Sequence, residues 1–234
     1  MTDEPRLSRR DSLLKLGGLL AGATAVGGWK VAEEAGAGPA AVASGAVSCV
    51  LLPEATPGPF YLDDHNVRRD IRAGKPGVPL ALRLTVLDVS TCRPIKGAAV
   101  DIWHCDAGGV YSGTTGRMED ARFLRGIQRT DAKGLALLKT VYPGWYPGRT
   151  VHVHVSVFLG GNIVHTGQLY FPDALTDAVY RRVPYSRRPA RSTRNAADSL
   201  YRNGGRRSML KLKRSGTGYA GEDEPHPAAA PARQ

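Results

Sequence analysis

The residues best suited to chemistry are His152 and His154, two apart in the run Thr150-Val151-His152-Val153-His154-Val155. A strand has a side-chain period of two. Both imidazoles therefore fall on one face, and Val151, Val153 and Val155 fall on the other as core. Two adjacent imidazoles are costly unless something uses them, and a metal ion is the usual user. Just upstream, Tyr146 and Arg149 sit in and beside the turn Pro143-Gly144-Trp145-Tyr146-Pro147-Gly148, which its prolines and glycines force.

The neighbours narrow the metal. Zinc would want a third His, Cys or carboxylate ligand. A ferrous site would want two His and a carboxylate. The unusual neighbour here is Tyr146, six residues before His152. A phenol binds metal only as phenolate, which at neutral pH needs a strong Lewis acid, and ferric iron is one. Two phenolates and two imidazoles would hold Fe(III) and leave room for a bidentate substrate. A second tyrosine is available at Tyr111, in Gly108-Gly109-Val110-Tyr111-Ser112-Gly113, where glycines let the backbone turn the side chain inward. The bland readings are satisfied strand histidines, an aromatic plug in a turn for Tyr146, and an exposed turn tyrosine for Tyr111. The spacing of Tyr146 and Arg149 to the histidine pair argues against the first two. Spacing alone does not join Tyr111 to the site.

These residues need a rigid frame, and the pattern predicts a β one. Leu80 to Val89 alternates apolar and polar residues. Ala98–Cys105, Gly134–Tyr142, Val151–Leu159, Ile163–Phe171 and Ser208–Lys213 read as further strands, with Gly160-Gly161-Asn162 as a hairpin turn. Asp173–Val183 reads as a short helix. Pro53 to Tyr61 is too proline-rich for a regular element and reads as an extended arm. The fold class expected is all-β, an antiparallel β-sandwich with long loops and little helix.

The chain has 234 residues and 42% hydrophobic content, enough for one domain with a real core. Residues 1–45 read as export signal and linker, 46–221 as the catalytic sandwich, and 222–234 as a disordered tail. Arg9-Arg10 precedes a mildly apolar stretch from Leu13 to about Val26, the form of a twin-arginine signal, with Ser12 where a bulky apolar residue is common. Ala41-Val42-Ala43 before Ser44 resembles a cleavage site. An exported, periplasmic or extracellular location is expected, with membrane contact only in transit. The net charge of +11 owes much to this N-terminus and to Arg181–Arg214, where Asp198 is the only acid. Aromatic interleaving is thin there, so a nucleic-acid partner is not expected, and the basic stretch reads as solvated surface. Three cysteines, Cys49, Cys92 and Cys105, allow three disulfide pairings with one thiol left over.

The runs Pro53–Leu62, Ala98–Ser112, Arg122–Asp131, Pro143–His154 and Gly167–Phe171 together resemble the intradiol ring-cleavage dioxygenases, and the Trp103-His104-Cys105-Asp106 run resembles an exported subgroup. The resemblance covers most of 49–221. It implies Tyr111, Tyr146, His152 and His154 as ligands of Fe(III). It implies Arg149 beside the iron, stabilising carbanion character on a bound catecholate, and Gln168 in the substrate pocket. The implied reaction opens a catecholic ring with O2 between its two hydroxylated carbons, giving a cis,cis-muconate-type diacid. The long helical N-terminal region of the dimeric catechol branch is missing, and a homo-oligomer stays open. After Gly221 an apolar strand is expected but Glu222-Asp223-Glu224-Pro225 follows, which leaves an edge to expose or to cover with a subunit. Trp103 reads as core or pocket wall, His104 as structural, Asp101 and Asp106 as hydrogen-bonding and turn residues, and His65 and His165 as non-ligands. Tyr61 lines either the pocket mouth or the surface. Trp145 is expected to shape which ring can enter. The competing classes are a non-catalytic exported binding module on the same fold and a zinc hydrolase built on the His pair.

Overall fold

The computed structural model describes residues 52–64, 66–89, 91–114 and 121–222. The proposed signal, its cleavage site, Cys49, His65 and the tail from 223 lie outside the described residues. Among the described residues eight strands form two four-stranded sheets, in the orders β4-β1-β8-β7 and β3-β2-β5-β6. The strands are β1 (Pro79–Thr85), β2 (Ala99–Trp103), β3 (Arg125–Arg129), β4 (Leu135–Val141), β5 (His152–Leu159), β6 (Asn162–Tyr170), β7 (Lys211–Ser215) and β8 (Gly218–Glu222). Among the described residues the helices are short: α1 (Asp173–Tyr180), α2 (Ser199–Arg202), and single 3-10 turns. Among the described residues no helix is long and apolar enough to cross a membrane. The architecture is the expected all-β sandwich, with one departure: β1 pairs in parallel with β8, while the other ladders are antiparallel.

The core forms where the inward periods of the two sheets meet. Leu80, Leu82 and Leu84 of β1 face Val100 and Ile102 of β2 and Val153 and Val155 of β5 in one buried cluster. His104 follows β2 on this inner face. It is fully buried, with Nε2 2.7 Å from Thr140 Oγ1 on the opposite sheet and Nδ1 2.8 Å from the Cys105 carbonyl. It is a tie between sheets, and burial pushes it down to about 4, so it stays neutral.

Several strand assignments change, among them the one expected at Ser208–Lys213, which runs instead over Lys211–Ser215. Arg125–Arg129 is a strand although it lacks apolar alternation. A strand not expected from the sequence, β8 at Gly218–Glu222, lies between β1 and β7, while the stretch after it, which lacks the apolar strand expected there, lies outside the described residues. The edge of that sheet is therefore β7, and its exposed Lys211, Lys213 and Arg214 resist pairing with a second chain. The β5–β6 hairpin turns on Gly160-Gly161 alone, both with positive φ as a two-residue turn requires, so Asn162 already belongs to β6. Cys92 is disulfide-bonded, while Cys105 is a buried free thiol.

Candidate metal centre

The outer face of the β3-β2-β5-β6 sheet carries the site. Register sets Trp103, His154 and Gln168 side by side across β2, β5 and β6, and His152 beside Tyr170. Two turns and an arm then cover this face. Tyr146 comes from the turn before β5, and Tyr111 from the loop after β2. The two loops pack backbone against backbone. A Cβ on Gly144 would lie 2.2 Å from the Asp106 carbonyl, and one on Gly109 2.2 Å from the Trp145 carbonyl, so neither position accepts a side chain. Asp106 shapes the Tyr111 loop by accepting from the Gly108 and Val110 amides and pairing with Lys75. The arm bridges β6 at Glu54 and Gly167, passes Gly58 over the His154 ring, and sets Phe60 and Tyr61 over the site.

The donor atoms converge. His152 Nε2 lies 3.0 Å from Tyr146 Oη and 3.1 Å from His154 Nε2. His152 Nδ1 donates to the Thr150 carbonyl over 2.6 Å, which leaves the Nε2 lone pair facing the site. Tyr111 Oη is buried without a hydrogen-bond partner, and its ring is 5.6 Å from that of Tyr146 and 6.1 Å from that of His154. Trp103 stacks on His154 at 4.9 Å and 6°, and Phe60 on Tyr111 at 4.4 Å. Burial, reinforced by the Arg149 charge, pushes His152 down to about 3. Burial, then His152 and Arg149, holds His154 well below the usual imidazole range. Burial pushes the Tyr111 phenol well above its usual value and raises Tyr146 too, with Arg149 opposing.

These features define what the site can hold. Neutral imidazoles are what a metal needs. Two lone pairs at close range and an orphaned buried hydroxyl both call for a cation. Buried phenols ionise only beside strong positive charge, so the donor set fits a hard, highly charged ion. Among the described residues no cluster of three or more His, Cys, Asp or Glu could bind a metal without the tyrosines.

Arg149 borders the donors. Its Nε donates to Asp198 at 2.9 Å and its Nη2 to Gln168 Oε1. Gln168 is 1% exposed and also accepts from Tyr170 Oη at 3.0 Å. Trp145 is placed differently from expectation. It packs toward the inter-sheet core under Arg188, whose guanidinium lies 4.4 Å above its ring, and it is not among the aromatic residues clustered with Tyr111. Tyr61 packs on Trp103 at 4.9 Å. His165 pairs with Val157 in the hairpin, away from the donors, with Nδ1 4.0 Å from Glu54. Asp198, which sequence reasoning treated only as a lone acid among arginines, is fully buried against Arg149. The signal was present: an isolated acid before Ser199-Leu200 is also a helix N-cap.

A family model described as Dioxygenase matches residues 57–182. The intradiol ring-cleavage dioxygenase of Tetranychus urticae is 32% identical, over 74% of this chain and 92% of that one, with a TM-score of 0.70. This chain belongs to the intradiol ring-cleavage dioxygenases. A second relative is the dioxygenase domain of a dioxygenase and carbohydrate-binding fusion from the cellulolytic bacterium Streptomyces sp. SirexAA-E, 32% identical over 73% of this chain and 94% of that one, with a TM-score of 0.57. Catechol 1,2-dioxygenase of Pseudomonas arvilla C-1 shares the fold at 21% identity, covering 83% of this chain and 70% of that one, with a TM-score of 0.53. No curated protein matches the chain.

One buried carboxyl, that of Asp101, stands where its charged form is disfavoured. Burial, then the neighbouring Asp64, pushes Asp101 up to about 8, against the pull of Arg125. Unfolded, it titrates at about 3.9. The native state thus holds the proton longer. The stability that this confers is fully present below about pH 3.9 and is lost as pH rises through about 8. Asp101→Asn is expected to flatten the decline in Tm over this window and to raise Tm at pH 8 by several degrees. Calorimetry of both proteins checks this, and parallel Tm curves would refute it.

Proposed function

We propose that the protein is a ferric intradiol dioxygenase that opens a catecholic ring between its hydroxylated carbons, with O2, to a cis,cis-muconate-type diacid. The observation that carries the reading is the convergence of Tyr111, Tyr146, His152 and His154 on one buried spot beside Arg149. These four residues would hold Fe(III), which when bound supplies Lewis acidity and a template for a bidentate catecholate.

The chain's own residues divide the remaining work. Tyr111 is 3% exposed and stacked under Phe60, so it is the fixed phenol. Tyr146 is only half-buried and can carry a proton on Oη as a catechol hydroxyl arrives. The Arg149 guanidinium stays charged and faces negative charge developing on the ring. Gln168 anchors the Nη2 end of that guanidinium. Trp103, Phe60 and Tyr61 wall the face with aromatic surface and exclude water. The twin-arginine-like start of the chain supports an exported enzyme.

Phenolate-to-iron charge transfer would colour the iron-loaded protein burgundy, and oxygen uptake with a panel of catechols would identify the ring. Tyr146→Phe is expected to bleach most of the visible band while Tm changes by only a few degrees. A colourless, iron-replete wild type would sink the reading and leave the non-catalytic binding module.

A further inference from the structure

Two buried polar side chains that no sequence argument assigned meet at the residues just before the donor strand. Asp198 is fully buried and Asn195 is 6% exposed. Both lie in the arginine-rich C-terminal segment, beyond the stretch 57–182 matched by the family model. Asp198 Oδ2 accepts from Arg149 Nε at 2.9 Å and from the Thr150 amide at 2.8 Å. Its Oδ1 accepts from the Leu200 and Tyr201 amides at 2.8 and 3.1 Å and so caps α2. Asn195 Oδ1 accepts from Thr150 Oγ1 at 2.6 Å, and its Nδ2 donates to the Phe171 carbonyl at 2.9 Å. Thr150, 1% exposed, has its carbonyl turned to His152 Nδ1 at 2.6 Å. Amide, hydroxyl and carbonyl of this one residue are thus all engaged.

We propose that Asp198 is a positioning residue of the site: it aims Arg149 directly and, clamping Thr150 together with Asn195, fixes the His152 ring and its tautomer. A buried carboxylate with four N–H partners has nowhere else to go. Its negative charge pairs with that of Arg149 and holds the guanidinium in place. Outer partners of this kind orient a ligand ring and set which nitrogen carries the proton. The Arg149 fork has two ends, and each is pinned by a different element: Nε by the residue before α2, Nη2 by Gln168 of β6. Loss of either pin would let the fork rotate off its target, and only the Asp198 pin also carries charge.

The inference rests on the ring-cleavage reading, and the test separates the two. Asp198→Asn keeps an oxygen for the α2 amides and loses the charged acceptor for Arg149 and Thr150. With activity normalised to bound iron, Asp198→Asn should lower kcat/KM about 10–100-fold, mainly through kcat. In an Arg149→Ala background the same change should cost clearly less than in the wild type, because the part that acts through Arg149 is already lost and only the part through Thr150 remains. Losses that multiply fully across the two backgrounds would show that Asp198 does not act through Arg149 and would overturn the inference. A wild type without ring cleavage would instead overturn the reading. The tautomer gives a readout that needs neither iron nor turnover. Long-range 1H–15N spectra of the metal-free wild type should show His152 protonated on Nδ1, and the Asp198→Asn spectra should show mixed tautomers. An Nε2-protonated His152 in the wild type overturns the inference even if the variant fails to fold.

Discussion

Replacing His154 by alanine is expected to yield a protein that retains no stoichiometric iron and no measurable ring cleavage. The effect should exceed that of any other single change. His154 Nε2 faces His152 Nε2 at 3.1 Å, so removing it takes away one of two neutral nitrogen donors. It also removes the ring that Trp103 stacks on and that Gly58 covers. The void left among Trp103, Tyr111 and the arm would cost about 2–5 kcal/mol of stability, as large-to-small changes in a packed interior do. Metal analysis of the purified protein, together with its visible spectrum, checks the first expectation. Full iron content with an unchanged band would remove His154 from the donor set.

Arg149→Ala is the second large effect, and it should separate chemistry from metal binding. Arg149 touches Asp198 and Gln168 and lies at the rim of the donors. Without it, iron content and colour should persist, while kcat falls about 10²–10³-fold, the range seen when one preorganised stabiliser of developing charge is removed. Asp198 would remain buried with three amide partners, from Thr150, Leu200 and Tyr201, so the fold should hold. Lysine at this position restores the charge but not the two-ended fork, and should recover only part of the rate. Single-turnover kinetics with a catechol reads the chemical step directly. A change confined to KM would mean that Arg149 only binds substrate.

What could be read from the chain followed local rules. The donor strand was legible because its alternation is strict: Val151, Val153 and Val155 in the core, His152 and His154 opposite. The β5–β6 hairpin was legible from paired glycines. The class of the fold followed from many such short, turn-bounded strands. What was not legible depends on distant partners. Strand β3 reads Arg-Gly-Ile-Gln-Arg and has no apolar period, yet Arg125 is 2% exposed because its guanidinium bonds Ser112, and Gly126 admits Ile71 closely. Trp145 stands next to a candidate ligand in sequence, but it packs against the inter-sheet core with Arg188 over its ring. Asp198 reads as a surface acid in a basic stretch, and only the fold buries it against the donor strand. Pairing across a sheet can be guessed from a period, whereas a buried ion pair between remote loops leaves no periodic trace.

Because β1 pairs with β8, the first strand of the domain is completed by its last, with Leu80 set against Tyr219. Antiparallel neighbours can zip from a hairpin, but this ladder closes over most of the length of the domain. On the ribosome, β5 and its histidines are made well before β1 can gain this partner, and before Asn195 and Asp198 exist. The nascent chain therefore passes through a stage in which the donor residues are present but neither braced nor enclosed. On the proposed function, secure capture of iron would come at the end of synthesis, when the C-terminal segment docks. A chain that stops short of Gly218 would lose the whole pairing of β1 with β8.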